Sequence, residues 1–203
     1  MYLLCENRQG IIIDPFTSEE AFCWIAERIT KLDGILLSHE HYDHISGTSA
    51  LREKYKCPVI CGERCMERLG DPTKNFSRYL NAYASLQTAE NIPEKMLLKQ
   101  DYTTCGDWSF RQNTEIVWQK QHILLTETPG HSPGSICILV NNRMLFSGDT
   151  LLPQKGAMTR FPDGSKSDYL QIALPYLRSL PPDTIVYPGH GKRFLLGEHP
   201  SIA

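Results

Sequence analysis

The chain has 203 residues, of which 21 are lysine or arginine and 23 are aspartate or glutamate, so its formal net charge is −2. This balance excludes the broad cationic surface with which proteins bind nucleic acids or anionic lipids. The apolar runs are too short for a membrane span, and the N-terminus lacks the pattern of a secretion signal. We expect one cytoplasmic domain over residues 1–203, with neither a nucleic-acid nor a membrane partner.

The first part of the chain predicts strands that alternate with helices. Tyr2 to Cys5 and Gly10 to Ile13 form a predicted hairpin. Thr17-Ser18-Glu19-Glu20 resembles a capping box, and apolar residues at helical spacing predict a helix over 18–32. Gly34 to Ser38 is apolar without alternation, which is typical of a strand covered on both faces.

The later elements are predicted from the same patterns. The expected helices are Ile45 to Tyr55, Glu63 to Gly70, and Asp168 to about Leu180, the last shortened or kinked by Pro175. The expected strands are Pro58 to Cys61, Met96 to Lys99, Glu115 to Trp118, His122 to Thr126, Ser135 to Val140, Met144 to Ser147 and Thr184 to Tyr187. Residues 71–91 are polar with scattered aromatic side chains, which suits either a lid or a surface helical hairpin.

The seven cysteines are odd in number and scattered, which favours reduced thiols over a disulfide framework. Cys57, Cys61 and Cys65 recur every four residues, and one interpretation is a metal site. The predicted strand and helix would point these thiols in different directions, so buried or half-exposed thiols are the better interpretation.

A dense cluster of ligand-type side chains follows the apolar strand: Ser38-His39-Glu40-His41-Tyr42-Asp43-His44. His39 and His41 are two residues apart, so in an extended segment they share one face and can reach one cation. Asp43 and His44 begin the next helix and can diverge toward a second cation about 3.5–4 Å from the first. The motif therefore predicts the start of a two-metal site.

Further ligands must come from elsewhere, because a catalytic metal needs about three protein ligands and one position for water. Three glycine-rich turns after strand-like runs carry suitable side chains: Thr128-Pro129-Gly130-His131-Ser132-Pro133-Gly134, Phe146-Ser147-Gly148-Asp149-Thr150 and Tyr187-Pro188-Gly189-His190-Gly191. Glycine lets the backbone turn tightly beside an ion.

These four ordered motifs resemble the metallo-β-lactamase-fold hydrolases, and among them the small glyoxalase II-like proteins, the hydroxyacylglutathione hydrolases. The resemblance spans Tyr2 to His199. It implies an α/β fold, the αββα four-layer sandwich of two mixed β-sheets flanked by helices. Relatives carry an extra strand before the part matched by Tyr2, so we expect the first sheet to lack its first edge strand, which leaves a homodimer open through that edge.

The resemblance also implies the roles of the site residues. His39, His41 and His131 would hold one metal ion, Asp43, His44 and His190 the other, and Asp149 would bridge them. Zn²⁺ suits these ligands, although iron or manganese also does. Asp43 and Asp149 are the expected catalytic carboxylates, serving a metal-bound hydroxide that attacks a small-molecule substrate.

By the same resemblance, Asp14 would support the metal ligands from behind. Phe16 stands where relatives have glycine, which leaves a second interpretation of Asp14 as a turn residue without such a role. Lys155 and Arg160 could meet a substrate carboxylate or simply be solvated. His122 and His199 are expected to be structural or surface residues.

The leading hypothesis is a glyoxalase II-like thioester hydrolase, although the C-terminal helical domain that helps glyoxalase II bind glutathione is not represented here. The main alternative is a persulfide dioxygenase with a single iron, but Pro153 to Arg160 lacks the Gly-Cys-Gly-Arg-Thr pattern typical of those enzymes. Lactonase and phosphodiesterase activities stay open. A β-lactamase is disfavoured because Asp149 stands at the bridging position. A nuclease is disfavoured because no basic track is visible. A non-enzymatic binding module is disfavoured because no metal ligand is missing.

Overall fold

The N-terminal half of the chain builds a five-stranded sheet in a computed structural model that describes residues 1–79, 101–153 and 155–202. The strands lie side by side in chain order; the first pair is antiparallel and the others are parallel. They are β1 (Tyr2–Glu6), β2 (Gln9–Ile13), β3 (Lys31–Leu36), β4 (Val59–Gly62) and β5 (Trp108–Phe110). β1 forms one edge of this sheet.

Local chemistry explains how this half begins. Asn7 and Arg8 have φ values of 51° and 60°, the left-handed pair that a two-residue hairpin turn requires. Ser18 caps the first helix, because its hydroxyl accepts a hydrogen bond of 3.2 Å from the Ala21 N–H. The predicted hairpin is therefore confirmed. The predicted helix ends earlier than expected, since the Thr30 N–H donates to the Arg8 carbonyl and the chain enters β3.

The helices of this half include α1 (Glu19–Arg28), α2 (Tyr42–Ile45), α3 (Thr48–Tyr55) and α4 (Glu63–Leu69). Ile25, Leu51 and Leu69 of these helices pack with buried residues of the sheet in one core cluster. The sequence predicted one helix over 45–55, but the chain breaks at Ser46 and Gly47. Thr17 bonds both the Ser46 hydroxyl and its carbonyl there, which interrupts the helix.

The second half forms a six-stranded sheet in the order β13-β12-β9-β8-β7-β6. All neighbours are antiparallel except β12 and β9, which are parallel. The strands are β6 (Asn113–Trp118), β7 (Gln121–Glu127), β8 (Ile136–Val140), β9 (Met144–Gly148), β12 (Ile185–Pro188) and β13 (Phe194–Leu195). A separate two-stranded hairpin joins β10 (Leu151–Leu152) to β11 (Lys155–Gly156).

The two sheets pack face to face. Ile13 and Leu36 of the first sheet share one core cluster with Ile138 and Phe146 of the second. Burying each such side chain contributes about 1.5–3 kcal/mol. On the far side, Leu177 packs in a third cluster with residues of the second sheet. The predicted αββα layering and mixed sheets are thus confirmed.

The helical layer over the second sheet accommodates a proline. It consists of α5 (Lys166–Asp168), a π-helical turn (Tyr169–Ala173) and α6 (Leu174–Ser179). Pro175 lies in the first turn of α6, where its missing N–H costs little. The π turn directly before it replaces the bonding pattern that the proline would break.

Some short strands of the structure were not predicted, and some predicted segments lie outside the described residues. The short strands β5, β10, β11 and β13 were not expected, because two or three residues leave no period to detect. The predicted strand Met96 to Lys99 and residues 80–91 of the predicted lid lie outside the described residues. Within the described part of the chain, no helix is long and apolar enough to cross a membrane.

Candidate metal centre

The first ligands are placed where the parallel strand β3 ends. The chain stays extended to His41, whose φ and ψ of −65° and 143° make it the residue before α2. Alternation along this extended segment sends His39 and His41 to one face and Glu40 to the other. The single turn of α2 then presents Asp43 and His44.

The first group of converging ligands consists of His39, His41 and His131, all buried. Their candidate ligand atoms lie within 4.8 Å of one another, and His131 Nε2 is 3.0 Å from His41 Nδ1. Burial and the neighbouring imidazoles lower the pKa values of His39 and His41, and burial lowers that of His131. All three rings are therefore in the neutral form that binds a metal ion.

The second group consists of Asp43, His44 and His190. His190 Nε2 lies 3.1 Å from Asp43 Oδ2 and 3.3 Å from His44 Nε2. The hydrogen bond with Asp43 raises the pKa of His190. Burial acts against the Asp43 carboxylate, but the bond from His190 and the nearby imidazoles outweigh it and lower its pKa. Asp43 is thus an ionised acceptor.

Asp149 lies between the two groups. Its Oδ1 is 3.5 Å from His44 Nε2, and its Oδ2 is 3.6 Å from both His131 Nε2 and His190 Nε2. Gly189 makes this approach possible, because a Cβ there would lie 2.2 Å from Asp149 Oδ1. One carboxylate therefore faces imidazoles of both groups.

The donor set fits metal ions. His39 Nε2 and Asp149 Oδ1 are buried and have no hydrogen-bond partner among the described residues, which is costly unless a cation or water meets them. Imidazole and carboxylate are the ligands of zinc, iron and manganese. The structure therefore brings together all seven ligand-type residues that the sequence singled out, in an arrangement that can hold divalent metals.

Asp14 supports these ligands from behind. Its carboxylate accepts hydrogen bonds from the Ser38 N–H at 2.6 Å and the Ser38 hydroxyl at 2.5 Å, and it bonds His44 Nδ1 at 2.9 Å. Ser38 Oγ in turn lies 3.0 Å from His39 Nδ1. His131 Nδ1 is held by the Met158 carbonyl at 3.0 Å. The Nε2 atoms of these three rings are consequently left to face the cation sites.

A buried ion pair behind the motif was missed by the sequence reasoning. Glu40 is fully buried, with Oε1 2.8 Å from Arg68 Nε, an ion pair without the angles of a hydrogen bond, and Oε2 accepting from the Ser132 hydroxyl at 3.0 Å. Arg68 also pairs with Asp163. Alternation within the motif was the available signal, because it places Glu40 opposite His39 and His41.

A cavity of about 710 Å³ opens over both groups. Its lining combines ligand-type side chains with an apolar wall: His41, Tyr42, Asp43, Phe76, Tyr79, His131, Asp149, Leu152, Lys155, Met158, Phe161, Pro162 and His190. Lys155 is in this lining and Arg160 is not. A larger cavity, about 1060 Å³, lies between α3 and residues 103–107, but it contains none of the seven ligand-type residues. The smaller one is therefore the candidate active site.

The two remaining histidines lie outside the ligand groups and are surface and structural residues, as predicted. His122 is exposed and bonds Glu115. His199 is buried; its Nε2 bonds the carbonyls of Leu152 and Lys155 at 2.9 and 3.1 Å, which ties the chain's end to the β10–β11 hairpin.

A model of the metallo-beta-lactamase superfamily matches residues 1–190. The chain belongs to this superfamily. A solved superfamily structure, the BLEG-1 B3 metallo-beta-lactamase, superposes with a TM-score of 0.76 at 28% identity and covers 98% of this chain and 92% of that one. The predicted fold and family are thereby confirmed.

Two curated relatives bear on the reaction. The probable metallo-hydrolase YqgX of Bacillus subtilis is 29% identical over 193 residues, 94% of this chain and 83% of that protein. The hydroxyacylglutathione hydrolase of Bdellovibrio bacteriovorus is 26% identical over 185 residues, 91% of this chain but 59% of that enzyme. Membership in the superfamily supports a hydrolase, and the substrate is a separate question.

Proposed function

We propose that this superfamily member is a thioester hydrolase that acts on a small acyl thioester with two divalent metal ions, Zn²⁺ in the first place. The observation that carries the proposal is the position of Asp149, within 3.6 Å of imidazoles from both ligand groups. A bridging carboxylate suits a pair of ions better than a single ion. The hydroxyacylglutathione hydrolase relatives support the choice of a thioester.

The ligand roles follow from this proposal. His39, His41 and His131 would hold one ion, Asp43, His44 and His190 would hold the other, and Asp149 would serve both groups. Bound there, divalent ions would lower the pKa of water and polarise a carbonyl. The other functions at the site, such as positioning of the nucleophile, are performed by the chain's own side chains.

Asp43 positions the nucleophile. Its side chain is 54% exposed toward the cavity, and its lowered pKa keeps it an acceptor at neutral pH. An ionised carboxylate there orients an attacking water by accepting its hydrogen bond. A thiolate leaving group needs little protonation, so no separate general acid is required.

Metal counting and a substrate comparison test this proposal together. The purified chain is analysed for zinc, iron and manganese, and then assayed with thioesters, lactones and phosphodiesters. About two zinc ions per chain with thioester hydrolysis is the expected result. One iron per chain with oxygen consumption on a persulfide would overturn it in favour of a dioxygenase, and absence of metal after reconstitution would overturn both.

Variants sharpen the assignment of the bridging ligand. Asp149→Asn is expected to lose at least one ion and most of the thioester hydrolysis. His122→Ala is the matched control, because His122 is an exposed histidine remote from the ligand groups. Equal metal content in the Asp149 variant and the control would remove Asp149 from the ligand set.

A further inference from the structure

The cavity over the metal ligands has an apolar wall that hydrolytic chemistry does not require. Phe76, Met158 and Phe161 line it together with Tyr79 and Leu152. Met158 and Phe161 are 40% and 42% exposed, so large apolar side chains stand open at the rim. Apolar surface left open around a reactive site marks a surface for binding a ligand.

Two of these aromatic rings lie directly against metal-ligand imidazoles. The Phe76 ring centroid is 4.5 Å from that of His41, and the Phe161 centroid is 5.6 Å from that of His131 and 5.8 Å from that of Phe76. A substrate group next to the scissile bond would therefore meet aromatic carbon on this side of the cavity.

Phe76 is held in a conformation that phenylalanine rarely adopts. Its φ is +64°, in the left-handed region, where a residue with a bulky side chain is strained. The fully buried Asn75 enforces it: its amide donates to the carbonyls of Leu69 and Tyr102, and its side-chain oxygen accepts from the Ser77 N–H. The backbone at Phe76 is thus strained in the conformation that holds this ring over the site.

The segment that carries Phe161 is fixed as well. Asp163, two residues later, pairs with Arg68, which contacts the buried Glu40 behind the metal motif. The Ser165 N–H donates to the Gly130 carbonyl beside His131. Because polar contacts place both rings, buried ones at Asn75 and partly exposed ones at Asp163 and Ser165, the apolar wall is pre-formed.

The charge of the cavity matches an apolar substrate group. Apart from the ligand-type side chains, Lys155 is the one charged group among its described lining residues. A substrate half with several charged groups would find few partners on the aromatic side and would lose its hydration there.

We propose that the apolar wall formed by Phe76, Met158 and Phe161 selects thioesters whose acyl group is uncharged and apolar, an alkyl chain or a phenyl ring. This inference rests on the proposed thioester hydrolysis and names the substrate class for that same site.

The test is a series of acyl thioesters of one small neutral thiol, N-acetylcysteamine, offered to the zinc-loaded full chain. The acyl groups are acetyl, butyryl, hexanoyl, phenylacetyl and succinyl. We expect kcat/KM to rise at least tenfold from acetyl to hexanoyl. Butyryl should exceed succinyl, which has the same carbon count but a carboxylate in place of the terminal methyl. A flat series, or a preference for succinyl, would overturn the inference.

Variants locate the preference on the wall. Phe161→Ala should reduce the hexanoyl-to-acetyl ratio about tenfold, while Phe161→Leu should keep most of it. Trp24→Ala is the control, because Trp24 is a comparably exposed aromatic residue, 45%, on the outer helix α1. A ratio that stays unchanged in Phe161→Ala would take the selectivity away from this wall.

A binding measurement separates this inference from the proposed function. Non-hydrolysable ketone analogues, in which CH₂ replaces the thioester sulfur, are titrated calorimetrically with the hexanoyl and succinyl acyl groups. Tighter binding of the hexanoyl analogue without turnover of any thioester would sustain the apolar site and overturn the hydrolase proposal. If thioesters are hydrolysed but neither the analogues nor the substrates show a preference among acyl groups, the hydrolase proposal would stand and the apolar-site inference would be overturned.

Discussion

Asp14 Oδ2 and His44 Nδ1 lie 2.9 Å apart, with both side chains only about 5% exposed. Asp14 itself has a φ of 52°, a strained value that its bonds to Ser38 and His44 maintain. Phe16, which stands where glycine was expected, does not disturb this contact. Asp14 is therefore more than a turn residue, because it fixes the ring through which His44 faces the metal centre.

Asp14→Asn is predicted to weaken metal binding. Burial opposes a charge on His44, but the hydrogen bond and charge of Asp14 overcome it and raise the His44 pKa to about 9. Losing that charge makes the imidazole a weaker and less well-oriented ligand, so we expect zinc affinity to fall about 10–100-fold. Competition with a chromogenic chelator measures the affinity. Asp183→Asn, at an exposed aspartate, should leave it unchanged, and equal affinities in both variants would contradict the role of Asp14.

Arg68→Met is predicted to destabilise the fold through Glu40. The Glu40 side chain is fully buried and that of Arg68 is 13% exposed, so removing the guanidinium leaves a carboxylate with only Ser132 as a side-chain partner. Breaking one side of a buried ion pair typically costs about 3–5 kcal/mol. Urea unfolding of the metal-free chain, followed by circular dichroism, gives the change in the free energy of unfolding.

A double variant tests whether the loss arises from the pair. Glu40→Gln combined with Arg68→Met should lose less than the sum of the two single losses, because the neutral amide no longer needs the cation. Additive losses would show that Arg68 contributes through packing alone.

Much of the fold and the site was readable from sequence for physical reasons. Ligand chemistry admits few residue types, so His39 and His41 stand out in their dense cluster and His131 stands out in its glycine-rich turn. Long strands can be predicted from apolar runs in the sequence, and Ile136–Val140 is an example. These features lie within short segments, so a single sequence is enough to recognise them.

The remainder depends on contacts between distant segments. The sequence around Phe76 does not by itself indicate its positive φ, because the preceding residue, Asn75, is fixed by the carbonyls of Leu69 and Tyr102. The partner of Glu40 lies 28 positions away at Arg68, beyond any periodicity. The break before α3 likewise arises from Thr17, which the helix pattern cannot include.

Phe76→Gly is predicted to be more stable than Phe76→Ala. Both changes remove the ring, but only glycine adopts a φ of +64° without strain, so the difference reports the stored strain. We expect about 1–2 kcal/mol in favour of glycine, measured as free energies of unfolding in urea. The reverse order would mean that the left-handed backbone is not retained once the ring is gone.

Tyr2→Phe is predicted to remove a pH-dependent part of the stability. The Tyr2 hydroxyl donates a hydrogen bond of 2.5 Å to the carbonyl of Pro188, two residues before His190. Burial first, and then Asp14 and Tyr187, raise the Tyr2 pKa from 10.0 to about 12. The folded state thus keeps a proton that the unfolded chain releases above pH 10, so this contribution is full below pH 10 and is lost as the pH rises toward 12.

Thermal unfolding between pH 8 and pH 12 measures this contribution as the difference in Tm between the natural chain and Tyr2→Phe. Below pH 10 the natural chain should be more stable by about 0.5–1.5 kcal/mol, the worth of one hydrogen bond. The difference should shrink as the pH rises from 10 toward 12, because the folded chain there keeps a proton that the unfolded chain has lost. Subtracting the two profiles cancels the other buried tyrosines, such as Tyr176, whose pKa burial also raises. A difference that stays constant across the window would mean that Tyr2 does not keep its proton in the folded state.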